Sequence, residues 1–212
     1  MRHAQIAAAA ATALLATLQA RAAEQARDVG PFSSISNGGP VDLRIEVGKP
    51  PSVLASGSDD DLADLRTEVV DGELRIRMRH DTHGHERHRD ALKLTITTPR
   101  LTAFTMGGAG ETTLVHMSGD ALDIHFGGAG NLKAEGTVKS LTLDVGGVGS
   151  IDTRALHAES VEAHVGGVGS VKVWASRRLD AWLGGVGSLT YYGDPAQVST
   201  HSGGLGSISK GR

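Results

Sequence analysis

The chain has no cysteine, and aromatic side chains make up only 3% of its 212 residues. Without thiols it can form neither disulfides nor a thiolate metal site, and it offers no cysteine for a lipid anchor. So few large rings indicate a narrow interior rather than a core built on aromatic residues. Lys and Arg (21) do not outnumber Asp and Glu (24), and the formal net charge of −3 argues against nucleic acid as a partner.

Long apolar runs are also scarce, and the one that is present lies near the N-terminus. Only Ala, Leu, Ile and Thr fill Ile6–Leu18, after a basic start at Arg2, and Ala20 and Ala22 supply small residues for cleavage. The run is too short for a membrane span. We therefore predict a signal peptide over residues 1–22 and no transmembrane anchor in the mature chain. The product is expected to be exported and to be periplasmic, on the cell surface or secreted.

Glycine, in contrast, is abundant, with 29 residues, and the string Gly-Gly-x-Gly occurs six times. The starting positions are 20, 19, 20, 18 and 19 residues apart, and a fixed period of this size indicates a solenoid of stacked repeats. The sixth position of each repeat is Thr or aliphatic, whereas calcium-binding glycine repeats need Asp there. The six strings begin at Gly107, Gly127, Gly146, Gly166, Gly184 and Gly203.

The residues before each Gly-Gly alternate between apolar and polar. Positions one, three and five of Leu122–Phe126 are apolar, and the pattern recurs at 141–145, 161–165 and 179–183. Alternation predicts strands with one inward face. Stacked about 4.8 Å apart, such coils form an all-β parallel β-helix. We predict one such domain over residues 23–212. Its glycine-motif coils, each of about 19 residues, extend over about 101–212.

The glycines are expected at the corners of this helix, where the backbone needs positive φ and leaves no room for a Cβ. The variable residue of each motif, from Ala109 to Leu205, is expected to contribute to an internal column of small aliphatic side chains. In the last coil Thr200 and Ser202 occupy inward positions, which predicts a polar capping coil at the C-terminus. Ahead of the repeats we expect one helical turn at Asp59–Leu65 and strands at Val41–Val47, Leu74–Met78 and Leu92–Ile96.

The mature chain resembles a known family of exported bacterial proteins, those with a putative autotransporter adhesin head, called the GIN domain. The resemblance covers about Asp28 to Arg212. It implies a right-handed β-helix in the cell envelope and an adhesin-like role, and it brings no catalytic residues. It rests on Phe32–Ile35, Val41–Val47, Gly72–Ile76 and the recurring Gly-Gly-x-Gly-Ser followed by an aliphatic residue.

One outward column of the predicted coils is the candidate binding surface. Successive rungs would place Asp144 close enough to hydrogen-bond the ring of either His125 or His164. The alternative is that the column is simply the solvated face of a sheet. The column consists of His125, Asp144, His164, Trp182 and His201.

A histidine-rich segment is the candidate metal site. Its imidazoles, with Asp81 or Glu86 as an oxygen ligand, could bind Zn²⁺, Cu²⁺ or Ni²⁺. The alternative is a solvated hairpin loop, because Arg87 and Arg89 would repel a cation. The four imidazoles belong to His80, His83, His85 and His88.

Two further features remain open. Asp123 and Glu162, two rungs apart, have a spacing compatible with the acid and base of a glycosidase, although short uniform coils should leave little groove for several sugar units. A group of aromatic residues could stack on sugars or on a partner, or could cover the core near the C-terminal end. The group comprises Trp174, Trp182, Tyr191 and Tyr192.

We therefore expect a non-enzymatic exported β-helix protein that displays a rigid binding surface to an envelope component, either a glycan or a protein, without a cofactor. The second hypothesis is a periplasmic transition-metal-binding protein that uses the His80–His88 segment. The third is an enzyme acting on a polysaccharide. The sequence leaves the oligomeric state open.

Overall fold

The structure, a computed structural model, describes residues 23–79 and 92–212, so that the predicted signal peptide and the His80–His88 segment lie outside the described residues. Its stacked parallel coils form a β-solenoid of about five turns, which confirms the predicted fold class. Among the described residues, no helix is long and apolar enough to cross a membrane.

Fifteen strands and one short helix make up the described chain. They are β1 (Ala23–Arg27), β2 (Ser34–Asn37), β3 (Asp42–Val47), β4 (Ser52–Gly57), α1 (Asp59–Asp64), β5 (Leu65–Val70), β6 (Glu73–Met78), β7 (Lys93–Thr98), β8 (Ala103–Met106), β9 (Ala109–Phe126), β10 (Ala129–Val145), β11 (Val148–Val165), β12 (Val168–Leu183), β13 (Val186–Tyr192), β14 (Gln197–Ser202) and β15 (Leu205–Lys210).

The glycine motifs stack in parallel register along the solenoid. β9 to β13 and then β15 pair in order, so that the variable motif residues Ala109, Val148 and Leu205 belong to one column. Each corner is hydrogen-bonded to the coil before it: the amides of Gly146 and Gly147 both donate to the carbonyl of Phe126 at 2.9 Å. The backbone polar groups of the corners are therefore satisfied from coil to coil.

Inward columns fill the interior. Leu122, Ile124 and Phe126 are at most 1% exposed, and their equivalents in the next three coils are also buried, as the alternation predicts. Along the axis the central inward position changes from Phe104 to Ile124 and Leu143 and then to the small Ala163 and Ala181. Burying each aliphatic side chain contributes about 1.5–3 kcal/mol relative to leaving it in water, so the columns are the main source of stability.

The N-terminal coils do not follow chain order. β2 and β3 form a coil beneath β8 and β9, and β6 and β7 form the coil beneath that, with β6 on β2 and β7 on β3. The corner between β2 and β3 is Gly38-Gly39-Pro40, and Pro40 bridges to Ala109 in the first glycine motif. β6 and β7 are thus consecutive strands of one coil and do not pair with each other, so the hairpin named as the alternative to the metal site is wrong.

Antiparallel strands and one helical turn complete this end. β5 pairs with β6, β4 with β7 and β1 with β4. Helix α1 begins after Ser58, whose Oγ accepts a hydrogen bond from the amide of Asp61, so that the predicted helical turn is confirmed.

The last coil is polar and exposed, as expected for a cap. All six residues of β14 are exposed, and Val198 is 46% exposed although it is in register with the fully buried Leu179. The difference arises because β12 is covered by the coil above it, whereas β14 belongs to the final coil.

Candidate functional site

The predicted outward column exists in the structure. Parallel pairing places His125 beside Asp144, Asp144 beside His164, His164 beside Trp182 and Trp182 beside His201. The five side chains therefore stand on successive rungs of one sheet face, about 4.8 Å apart.

Two histidines of this column pair with carboxylates, one inside the column and one outside it. The Nδ1 atom of His125 lies 3.1 Å from an oxygen of Asp144, as one of the two predicted options. The Nε2 atom of His164 instead lies 3.0 Å from an oxygen of Glu162, two residues earlier on the same strand. Both pairs are roughly half exposed, and exposed ion pairs of this kind contribute at most about 1 kcal/mol to stability.

Trp182 is the large apolar side chain of the column. It is 42% exposed, and its ring lies against Gly184, where an added Cβ would be 2.2 Å from a ring carbon. His201 is exposed on the capping coil. The column thus combines three imidazoles, one carboxylate and one indole on an exposed surface.

The variable residues of the glycine motifs do not form an internal column. Val148, Val168 and Val186 are 48–56% exposed and Leu205 is 80% exposed, so that the expected internal column was wrong. The alternation of inward and outward positions continues from Val145 through the corner: Val145 and Gly147 are buried, whereas Gly146 and Val148 are exposed. The variable residue therefore points outward. These residues form an exposed aliphatic ladder. Beside this ladder, the hydroxyls of Ser150 and Ser170, which follow two successive motifs, lie 3.1 Å apart.

The His80–His88 segment lies outside the described residues, so the metal site at His80, His83, His85 and His88 stays a prediction. Within residues 23–79 and 92–212, no group of three or more potential metal ligands is close enough to hold an ion.

A second candidate site is a groove that the sequence did not predict. It has a volume of about 1010 Å³ and runs across β9 to β13 and β15, on a face formed by residues that follow the glycine motifs. The column residues precede those motifs, so the two surfaces are separate. The expectation that uniform coils leave little groove was therefore wrong. Its lining includes Lys133, Glu135, Asp152, Arg154, Trp174 and Tyr192.

The groove lies where the coils differ in length. In the pairing of β11 with β12, residues 153–157 stand opposite only Val173 and Trp174. Such irregularities bend the strand and re-aim its side chains. The buried Thr153 secures this bulge, because its hydroxyl donates a 3.0 Å hydrogen bond to the carbonyl of Lys172.

Two aromatic rings of the groove occupy neighbouring rungs. Trp174 is in register with Tyr192, and its ring stacks on His157 with 4.4 Å between the ring centroids. The guanidinium carbon of Arg154 lies 5.5 Å from the centroid of the Tyr192 ring, and the ring also packs on Gly211. Of the aromatic group, Tyr191 packs against the core, whereas Trp174 and Tyr192 line the groove.

Charged side chains of the groove are held in pairs. Arg154 donates to the Asp152 carboxylate from three groups: Nε, at 2.9 and 3.1 Å from its two oxygens, Nη2 at 2.6 Å and the backbone amide at 3.2 Å. The bonds from Arg154 lower the pKa of the Asp152 carboxyl, and burial opposes this only in part. Lys210 donates to Asp194 at 2.6 Å, which lowers the pKa of that carboxyl as well. These are charge-assisted hydrogen bonds, which are shorter and stronger than those between neutral groups.

One signal in the sequence does point to the groove. The coil that begins at Gly146 is 20 residues long and the next is 18, so two neighbouring coils cannot match along their whole length. The extra residues of the longer coil have to form a bulge, but the glycine spacing does not predict on which face of the solenoid the bulge lies.

Comparison with solved structures supports the fold. A putative adhesin from Bacteroides fragilis NCTC 9343 is 27% identical, with a TM-score of 0.73 over 91% of this chain and 98% of that one. A putative adhesin from Parabacteroides merdae ATCC 43184 is 14% identical, with a TM-score of 0.50 over 91% of this chain and 97% of that one. No curated protein matches the sequence.

A family model matches residues 31–195, which is most of the chain and extends from the segment before β2 to beyond β13. Its description agrees with the resemblance that the glycine motifs and the N-terminal strands indicate. The chain belongs to the family described as putative auto-transporter adhesin, head GIN domain.

Proposed function

We propose that this protein is an exported, non-enzymatic binding module that presents its rigid coils to a component of the cell envelope. The observation that carries the proposal is the parallel register in which all six glycine motifs stack, from Ala109 to Leu205. Side chains on such a lattice are positioned before the ligand binds, which lowers the entropy cost of association.

Family membership supports the same proposal, because the matching family and the similar structure from Bacteroides fragilis are both described as putative adhesins. An adhesin acts outside the cytoplasm, in agreement with the signal peptide predicted over residues 1–22. Weak contacts to a repetitive envelope polymer can add up when several side chains of one face engage together.

The polysaccharide-cleaving hypothesis has less support from the geometry. Asp123 and Glu162 do lie in one column, with Thr142 between them. Glu162 is paired with His164, and both carboxylates stand on an exposed sheet face rather than in the groove. A general acid for glycoside cleavage needs a raised pKa, which an apolar enclosed environment provides.

Binding to defined envelope fractions tests the proposal. Residues 23–212 are immobilised and exposed to sonicated peptidoglycan, purified lipopolysaccharide and detergent-solubilised outer-membrane proteins. We expect saturable binding to one of the three, measured by biolayer interferometry. Non-saturable signals from all three fractions would contradict the proposal. The Gly147→Val variant, which should not fold, is the control for adsorption by unfolded chain.

The histidine segment needs a separate test. Zinc titration of the full mature chain and of a variant that lacks residues 82–89 decides the metal hypothesis. Tight binding that disappears in the deletion variant would support it, whereas envelope binding should be the same in both proteins under our proposal.

A further inference from the structure

We propose that the groove that contains Trp174 and Arg154 is a binding site for a short, uncharged oligosaccharide. This inference rests on the proposed binding function and adds to it the place and the chemical class of the ligand. The groove volume of about 1010 Å³ is at the upper end of the range of about 300–1,000 Å³ that is usual for ligand sites. It can hold several sugar units.

The aromatic rings supply the apolar part of such a site. Trp174 is half-buried and held by His157 on one side, and Gly193 packs against its ring, where a Cβ would be only 3.2 Å from a ring carbon. A ring that is fixed in this way loses little conformational freedom when the C–H face of a sugar packs on it. Tyr192, on the next rung, extends the same surface.

The polar groups supply hydrogen bonds at fixed positions. Asp152 and Arg154 are planar groups held together by three N–H groups of Arg154. The carboxylate keeps about one of its four lone-pair positions for a ligand, and the guanidinium keeps donors among its five N–H groups. Hydroxyl groups of sugars both donate and accept, so they can bond to the two partners at once. Lys133 and Glu135, exposed on the same face, offer a further donor and acceptor.

The charge of the groove argues against a strongly charged ligand. Four basic side chains and three carboxylates line it, so that the net charge is small. A polyanion would need a basic surface, and a cationic peptide would need an acidic one. A neutral polyol matches a balanced set of donors and acceptors beside aromatic rings.

The chain offers an unusual optical test, because Trp174 and Trp182 are its only tryptophans. The Trp182→Phe variant keeps only the indole of the groove, and the Trp174→Phe variant keeps only the indole of the column. A glycan array of neutral di- to tetrasaccharides first identifies a ligand for the mature chain. That saccharide is then titrated into both variants, with fluorescence and calorimetry as readouts.

We expect the emission of the Trp182→Phe protein to change with a midpoint that equals the calorimetric Kd. In Trp174→Phe the emission should stay constant, and Trp174→Ala should weaken binding at least about tenfold, as for an aromatic residue at the centre of a site. Circular dichroism and the unfolding midpoint establish that each variant is folded. If Trp174→Ala does not fold, Arg154→Gln at the rim, with the same expected loss, replaces it.

Three results would overturn the inference. Unchanged affinity in Trp174→Ala and Arg154→Gln, with loss in Trp182→Ala, would place the ligand on the column and leave the proposed function standing. Binding to envelope protein or to short peptides but to no saccharide would contradict the ligand class alone. Binding to no envelope component would contradict the proposed function together with the inference.

Discussion

Gly147 lies directly against Gly128 of the preceding coil: a Cβ on Gly147 would be 2.1 Å from the carbonyl oxygen of Gly128. The atom in the way belongs to the backbone of the preceding coil, and this backbone cannot move aside without breaking the register of the stack. We therefore expect Gly147→Ala to lower the free energy of unfolding by about 3 kcal/mol or more, at the upper end of overpacking effects. Urea unfolding followed by circular dichroism measures the loss.

The neighbouring glycine provides the matched control. In the described part of the chain no heavy atom lies within 4 Å of a Cβ on Gly146, apart from its chain neighbours, and this residue is exposed. Gly146→Ala should stay within about 0.5 kcal/mol of the wild type, as is usual for surface substitutions. Equal stabilities of the two variants would contradict the assignment of the second glycine as the contact point between coils.

The exposed aliphatic ladder gives a second pair of variants. Val168 is 49% exposed, whereas Val171, three residues later, is 1% exposed. Threonine keeps the shape of valine but adds a hydroxyl. Val171→Thr should cost about 1–3 kcal/mol because the hydroxyl is buried, and Val168→Thr should change stability by less than about 0.5 kcal/mol. Thermal unfolding of both variants checks which of the two valines points inward. A larger loss of stability in Val168→Thr than in Val171→Thr would support the internal column instead.

Acid should weaken the groove in a defined direction. The hydrogen bonds from Arg154 lower the pKa of Asp152 below its ordinary value of 3.8. A lowered folded-state pKa contributes stability that is present above the unfolded pKa and is lost as the pH falls through the folded pKa. The contribution should therefore be complete at neutral pH, decline as the pH falls below about 3.8, and be absent once the pH is below the folded-state pKa. Carboxyl NMR titration should give a midpoint below 3.8.

Removal of the partner checks the cause of this shift. In Arg154→Gln the titration midpoint of Asp152 should rise toward 3.8, since the main hydrogen-bond donor is lost. The Arg178→Gln variant, whose partner is Asp180 on the other face, is the control and should leave Asp152 unchanged. An unchanged Asp152 midpoint in Arg154→Gln would show that another group holds the carboxylate.

Exchange of amide hydrogens should separate the final coil from the middle of the solenoid. The residues of β14 are all exposed and those of β15 almost all exposed, whereas β11 and β12 are covered on both sides by other coils. We expect amides of 197–210 to exchange faster than those of 161–165, because terminal repeats of a solenoid open first. Equal protection of amide hydrogens in the final coil and in the middle of the solenoid would contradict the prediction that the final coil opens first.

Much of the fold could be predicted because its physical cause is local in the sequence. Period-two alternation in Leu122–Phe126 and its repeats specifies an inward face, and the glycine spacing specifies the coil. The variable motif residues were placed wrongly because they are apolar. Alternation continued from Val145 through Gly147 and Gly149 to Ile151 would have put Val148 outside.

Other features depend on contacts that the sequence does not reveal. Gly38-Gly39-Pro40 serves as a motif corner although Val41 stands in place of the glycine at the fourth position. Because β6 pairs with β2 and not with β7, the chain order of two coils is reversed. The groove depends on which coil bulges and on which face. The column, in contrast, followed directly from the register, although the partner of His164 turned out to be Glu162.

The central claim is that the chain binds an envelope component and releases it unchanged. The most direct test is calorimetric titration of residues 23–212 with the envelope fraction that binds, followed by mass spectrometry of the recovered ligand. We predict a saturable heat that returns to baseline after each injection and a ligand of unaltered mass. Continuous heat release with shorter products, abolished in Asp123→Asn or Glu162→Gln, would contradict the account and establish an enzyme.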